Sequence, residues 1–302
     1  MTPTSPDPQA DPAREAGFEV HAGQGFDGTA LRYWTRHREP RWLLVCNGYG
    51  GTLTSWLPLL GAMDPSWSVL IWDYRGQFGS ESPESAVPVA DHSRDLDVLR
   101  EHEGIERGVV MGWSVGVQVA LEHFRRRPEQ TSALVLINGA HEQVLHGPLG
   151  GGAGARFVRA VTCVAAPVVE AAQPALRVLF GWPKLARVAQ AIGMVQGNTD
   201  LFHQATVNWQ QLELGRYLRM TLAADDHRTA DILPKVDVPC LITCGEKDRL
   251  TPPHLARFLH DQISGSELFV LPDATHYAIM EQPEVMARAI DDFLGRKLPW
   301  LR

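Results

Sequence analysis

Arg107-Gly108-Val109-Val110-Met111-Gly112-Trp113-Ser114-Val115-Gly116-Val117-Gln118-Val119 holds a strand, a sharp turn and the start of a helix within one short stretch. Residues 108–111 have the apolar, β-branched character of a strand buried on both faces. From Val115 onward the apolar positions Val119, Ala120 and Phe124 recur at helical spacing until Pro128 closes the segment. Ser114 therefore sits at the apex of a strand-turn-helix unit. Gly112 and Gly116, two residues to either side of it, fit a turn so tight that a Cβ would collide with neighbouring backbone. Such a turn lifts the serine hydroxyl clear of the sheet edge and aims the first free N–H groups of the helix, beginning with that of Val115, at whatever binds there.

Outward from this unit, the chain alternates strand and helix. Residues 18–21 and 30–35 read as an antiparallel hairpin around the polar turn Gly25-Phe26-Asp27-Gly28. Residues 41–46 form a strand expected near the centre of the sheet, and it runs into Asn47-Gly48-Tyr49-Gly50-Gly51, a loop whose glycines let a ligand approach the backbone. A helix over residues 54–63 leads to a strand at 68–72, which ends in Asp73-Tyr74-Arg75-Gly76-Gln77-Phe78-Gly79-Ser80. Asp73 and Arg75 are expected to hold that loop by ion pairing and backbone hydrogen bonds. An amphipathic helix at 89–102 and a strand at 133–137 complete the first part. This regularity predicts an α/β fold with a mostly parallel central sheet flanked by helices.

The alternation then stops. Residues 141–231 show no convincing strand, open with a glycine cluster at 147–154, and continue as Ala-, Val- and Leu-rich helical segments punctuated by Pro167, Pro174 and Pro183. They read as an inserted helical lid over the carboxyl edge of the sheet, hinged at the glycines, with apolar side chains such as Val161, Val168, Val169, Leu176, Leu179, Phe180 and Trp182 available to a substrate pocket. The core, residues 1–140 and 232–302, resumes with strands at 240–244 and 267–271 and helices at 253–263 and 283–294.

With 302 residues and 44% hydrophobic content, the chain has enough apolar surface for a full-sized core. A net charge of −7 without a basic block argues against nucleic acid, and against an anionic membrane surface, as the main partner. No run of about eighteen uncharged apolar residues occurs, so no transmembrane segment is expected. The first 16 residues, rich in proline and acidic side chains, predict a disordered leader and not a secretory signal. Cys46, Cys163, Cys240 and Cys244 lack metal-ligand spacing and read as small buried hydrophobes in a reducing, cytoplasmic setting, with neither metal nor cofactor implied.

Loops bearing Tyr49, Ser114, Asp248 and His276 all leave the carboxyl ends of predicted strands, where ligands gather in open parallel sheets. The Ser, Asp, His order, the Gly-x-Ser-x-Gly turn, the Asp73 to Ser80 loop and the Gly245-Glu246-Lys247-Asp248 turn together resemble the α/β-hydrolase family over residues 18–298. The resemblance implies that Ser114 is the nucleophile, His276 the general base and then acid, and Asp248 the group that orients the imidazole. It also implies an oxyanion hole made by the N–H groups of Tyr49 and Val115. Trp113, Phe180, Trp182 and Tyr277 are expected around the substrate. Asp73 and Asp273 are rival acids, but only Asp248 occupies the matching turn. His141 and His146, at the lid entrance, suit surface or capping roles better than catalysis. Asn47 stands where relatives carry histidine, and Val117 where many carry glycine.

A serine at the apex excludes the aspartate-based epoxide and halide chemistries. The Gly-Trp-Ser-x-Gly elbow resembles bacterial carboxylesterases, including the methyl-ester esterase of biotin synthesis, and the architecture is similar to monoacylglycerol lipases. Hydrolysis of a small-molecule carboxylic ester through an acyl-enzyme, with a medium acyl chain or an aromatic group in an apolar pocket, is therefore the expected activity. Carbon–carbon bond hydrolysis on the same fold, and a ligand-binding pseudoenzyme or receptor, are the alternatives.

Overall fold

The computed structural model describes residues 10–83, 87–145, 152–197 and 199–299. Its strands are β1 (Glu19–Gln24), β2 (Ala30–Arg36), β3 (Trp42–Cys46), β4 (Ser68–Trp72), β5 (Gly108–Trp113), β6 (Thr131–Ile137), β7 (Cys240–Gly245) and β8 (Glu267–Leu271). They form one eight-stranded sheet in the order β1-β2-β4-β3-β5-β6-β7-β8. β1 and β2 pair antiparallel, as the hairpin reading expects, and β2 pairs antiparallel with β4. Every pairing from β4 across to β8 is parallel.

The central strands read as unbroken apolar runs because both of their faces are covered. Leu43 and Val45 of β3, with Val109 and Met111 of β5, join one core cluster. Leu44 and Cys46, with Val110, join the other on the opposite face. The period-two alternation of strand side chains thus feeds two apolar layers. On the first side lie α1 (Ala10–Glu15), α2 (Leu53–Ala62) and α11 (Pro283–Lys297), and on the second α3 (Val89–His102), α4 (Gly116–Arg126) and α9 (Pro253–Gln262). A one-turn helix, α10 (Ala278–Glu281), which the sequence reading lacks, follows His276.

Asp73 and Arg75 hold their loop, but not by pairing with each other. Arg75 bridges Asp95 at 2.5 Å and Asp27 at 2.8 Å, while Asp73 takes Arg32 at 2.6 Å and the Gly79 N–H at 3.0 Å.

The structure corrects three expectations outside the sheet. Residues 10–15 are helical and Ala13 is buried in the first core cluster, so only residues 1–9 of the expected disordered leader remain, outside the described residues. Pro167 and Pro174 do not break the segment they lie in. α5 (Gly152–Phe180) runs through both, and their ring positions face solvent, where the carbonyls they leave unbonded can reach water. The expected hinge at residues 147–151 lies outside the described residues, and Gly152 and Gly154 already belong to α5. Cys163, on the same helix, is exposed and free, whereas the other three cysteines are buried.

The same helix bears on the expectation of no transmembrane segment. Arg159–Phe180 is long and apolar enough to cross a membrane by length and composition, and 6% of its most apolar window is buried. A criterion that allows no charge overlooks it, because Glu170 and Arg177 interrupt the run. Between β6 and β7 the described residues contain no strand, only α5, α6 (Lys184–Ala191), α7 (Thr199–Asn208) and α8 (Leu214–Asp226) with short turns between them.

Candidate active site

Ser114 has φ of 59°, a left-handed conformation that L-residues occupy only when the surroundings enforce it. Its own N–H donates to the Ile137 carbonyl at 3.0 Å, which fastens the turn to the end of β6. The flanking glycines follow from close backbone approach. A Cβ on Gly112 would meet the Gly116 carbonyl, and one on Gly116 would run into the carbonyls of Cys46 and Asn47. Sequence alone requires these glycines for the turn, and the structure names what they avoid.

His276 Nε2 lies 2.9 Å from Ser114 Oγ, and its Nδ1 lies 2.9 Å from Asp248 Oδ2. A carboxylate only accepts, so Nδ1 carries the proton and Nε2 offers its lone pair to the serine hydroxyl. The carboxylate is itself tightly held. Oδ1 accepts from the Leu250 and Thr251 N–H groups, each at 2.8 Å, and Oδ2 accepts from Asn138 Nδ2 at 2.8 Å and the Thr251 hydroxyl at 2.7 Å. Burial pushes Asp248 toward neutrality, but the facing His276 and these donors outweigh it and hold its carboxyl below the usual value. The histidine loop is anchored from two directions. Trp113 Nε1 donates to the His276 carbonyl at 3.0 Å, and the Glu281 carboxylate accepts from Thr275 N–H at 2.7 Å and its hydroxyl at 2.6 Å.

Both rival acids are elsewhere. Asp273 is 72% exposed and pairs with Lys247, and Asp73 is buried against Arg32. His141 is buried with its ring stacked on Phe258 and not at the surface, and His146 lies outside the described residues.

The loop after β3 approaches from the other side of the serine. Asn47 substitutes for histidine by using both ends of its amide: Nδ2 donates to the Trp72 carbonyl at 2.9 Å and Oδ1 accepts from Trp56 Nε1 at 2.7 Å. Gly48 packs so closely that an added Cβ would lie 3.0 Å from that of Ser114. The Gly50 N–H is taken by Gln77 Oε1 at 2.8 Å. The N–H groups of Tyr49 and Val115, by contrast, donate to none of the described residues. The Tyr49 ring is clamped on a buried aromatic stack, its hydroxyl 3.3 Å from His92 Nε2, with His92 stacked on Tyr74 at 4.1 Å. Val117, in place of a further glycine, is fully buried against Gly139.

Beside Ser114 lies a cavity of about 100 Å³ whose lining includes Trp113, His276, Tyr277 and Met280 from the core, with Ala205, Trp209 and Tyr217 from the segment between β6 and β7. That segment is tied down there, since Trp209 Nε1 donates to the Gly50 carbonyl at 2.9 Å and Asn208 Nδ2 to the Thr54 hydroxyl at 2.9 Å. Of the expected pocket residues, Trp113 and Tyr277 line the cavity. Phe180 does not: it stands behind Trp209, with ring centroids 5.7 Å apart. Trp182, 45% exposed, points away to solvent, as do Val161, Val168 and Leu179. Val169 and Leu176 are half-buried and are not part of the lining. Residues that sequence reasoning missed are Asn138, Thr251, Gln77, Trp209 and Tyr217. Asn138 alone carried a usable signal, being an Asn-Gly pair at a strand end, and it does adopt a positive φ of 44°.

Such a constellation has the parts that acyl transfer requires: a hydroxyl facing an acceptor nitrogen, an oriented imidazole and unengaged N–H donors nearby. Residues 43–289 match the model of the alpha/beta hydrolase family. Among curated proteins, the chain is 26% identical to mouse serine hydrolase BPHL over 294 residues, covering 95% of this chain and 91% of that one. It is 28% identical over 235 residues to a Neisseria meningitidis pimeloyl-[acyl-carrier protein] methyl ester esterase, covering 70% and 82%. Among solved structures, a thermophilic esterase from Thermogutta terrifontis superposes with a TM-score of 0.73 at 20% identity, covering 92% of this chain and 98% of that one.

Proposed function

Because this chain belongs to the alpha/beta hydrolase family, we propose that it hydrolyses carboxylic esters through an acyl-enzyme formed on Ser114. The observation that carries the reading is the hydrogen-bond chain Ser114 Oγ, His276, Asp248, each link 2.9 Å, set beside a mostly apolar cavity. Ser114 Oγ attacks the ester carbonyl as His276 Nε2 takes its proton. The oxyanion that forms is held by the N–H groups of Val115 and Tyr49, which contribute on the order of 3 kcal/mol per donor in comparable sites. His276 then gives its proton to the departing alkoxide. Water, deprotonated by the same nitrogen, attacks the acyl-enzyme and releases the acid, regenerating Ser114. Asp248 keeps Nδ1 protonated and stabilises the imidazolium throughout. The mouse and Neisseria relatives, named as a serine hydrolase and a methyl ester esterase, support the same reaction class.

Residues 141–231 act as a cap, a reading supported by Ala205, Trp209 and Tyr217 in the cavity wall. At about 100 Å³ the cavity is smaller than the roughly 300–1,000 Å³ of pockets that enclose drug-sized ligands. It suits a short acyl group with the cap as it stands, and longer chains require the cap to shift. Turnover of p-nitrophenyl esters of graded length tests both parts. Ser114→Ala is expected to lower turnover by about six orders of magnitude while substrate binding survives. Turnover within tenfold of the parent chain would remove Ser114 as nucleophile.

A further inference from the structure

α5 runs for about 43 Å at the usual rise per residue, and it is attached to the rest of the protein along one side only. On that side Arg159 pairs with Asp225 at 3.0 Å, Glu170 with Arg219 at 3.3 Å, and Gln173 Oε1 accepts from the Leu214 N–H at 3.1 Å, all reaching α8 or its start. The other side presents Phe157, Val161, Val164, Val168 and Val178 to solvent, followed just past the helix end by Trp182, with exposures between 45% and 76%. Their positions, with Ala171 and Ala175 between them, step by four and three residues, so they form one continuous stripe along the helix. Soluble proteins rarely leave an apolar strip of this length uncovered.

The net charge of the segment that carries the stripe points to what covers it. Residues 152–192 carry Arg156, Arg159, Arg177, Lys184 and Arg187 against a single acid, Glu170, in a chain whose net charge is −7. Arg156, Arg177, Lys184 and Arg187 are exposed, and none makes an ion pair with a described residue. We propose that the outer face of α5 seats the protein on the surface of an anionic lipid bilayer, with Phe157, the valines and Trp182 entering the acyl boundary and the basic side chains facing the headgroups. A basic, one-sidedly apolar helix lying in the interface plane is the arrangement such surfaces select. A second copy of the chain fits less well, because pairing along the stripe would bring together two segments that each carry five basic residues against one acid. Insertion across the bilayer would break the ties to α8. The net-negative composition, which by itself argues against an anionic membrane surface, hides this segregation of charge.

Cys163 shares a helical row with Glu170, off the stripe, so the reporter is a thiol placed on the stripe itself: in Val161→Cys with Cys163→Ser the remaining cysteines are buried, and one environment-sensitive thiol dye reports this face in the full chain. Vesicles of phosphatidylcholine with about a third phosphatidylserine should shift the dye emission to the blue and carry the protein down on sedimentation, whereas pure phosphatidylcholine should do neither. The Arg177→Gln, Lys184→Gln pair should weaken binding by about fivefold per charge removed, and added salt should weaken it further. Val164→Asp with Val168→Asp should abolish binding while leaving hydrolysis of a soluble p-nitrophenyl ester unchanged. No shift and no sedimentation with the anionic vesicles would overturn the proposal. So would a blue shift without vesicles that tracks dimer formation in the ultracentrifuge, since the stripe would then belong to a second copy. Binding is read without turnover, so failure of the esterase reading would show separately as a soluble ester left uncleaved.

Discussion

At the scale of single residues, Asp248 and His92 show how burial is used in opposite ways. Asp248 is buried yet held ionised by five hydrogen bonds, so its replacement by Asn leaves the geometry and removes the charge that fixes the His276 tautomer. Asp248→Asn should therefore lower ester turnover by about four orders of magnitude, less than loss of Ser114. Steady-state kinetics on a p-nitrophenyl ester checks this, and a loss under tenfold would contradict the role. His92 is buried neutral: burial first, and the Arg75 charge second, depress its pKa from 6.5 to about 3. A folded-state pKa below the unfolded one means that the unfolded chain takes up a proton first as the medium is acidified. The contribution of His92 is thus fully present above pH 6.5 and is lost as the pH falls toward 3. In His92→Phe the decline of unfolding free energy with falling pH should be shallower by up to about 1.4 kcal/mol per pH unit. Denaturant titrations at several pH values measure this slope, and an unchanged slope would contradict the assignment. Asn138, which fastens Asp248 and the Thr275 carbonyl, gains its role only when the ends of β6 and β7 and the histidine loop are brought together. Ser114, Asp248 and His276 were legible because each sits in a local turn signal of its own.

Elements were legible where one rule dominates. The central strands, buried on both faces, and α3, with its apolar stripe, match the sequence reading closely because period and flanking residues agree. α5 was misread for physical reasons. Its prolines sit where the helix is open to solvent, and the direction its stripe faces is decided by docking on α8, which no period can reveal. That reversal changes which side chains should govern specificity. Met280→Ala and Trp209→Ala enlarge the cavity and should shift preference toward longer acyl chains, whereas Trp182→Ala, outside the cavity, should leave the profile as it is. The relative rates on acetate, butyrate and octanoate p-nitrophenyl esters decide this. A shifted profile for Trp182→Ala alone would show that α5 faces the substrate after all.

Taken as a whole molecule, the sheet brings loops distant in sequence to one edge, where Ala205, Trp209 and Tyr217 of the helical segment between β6 and β7 help line the cavity. A larger crevice of about 300 Å³ opens at the amino end of the strands, among Trp42, Trp67, Gly108 and Ser132, but it holds none of the serine, histidine and aspartate set. The central claim is that Ser114 becomes covalently acylated with His276 as its base. Peptide mass spectrometry after reaction with one equivalent of a fluorophosphonate tests it most directly. The account predicts a single adduct per chain, on Ser114, and much slower labelling in His276→Ala. An adduct on another residue, or an unmodified Ser114 in the properly folded chain, would contradict it.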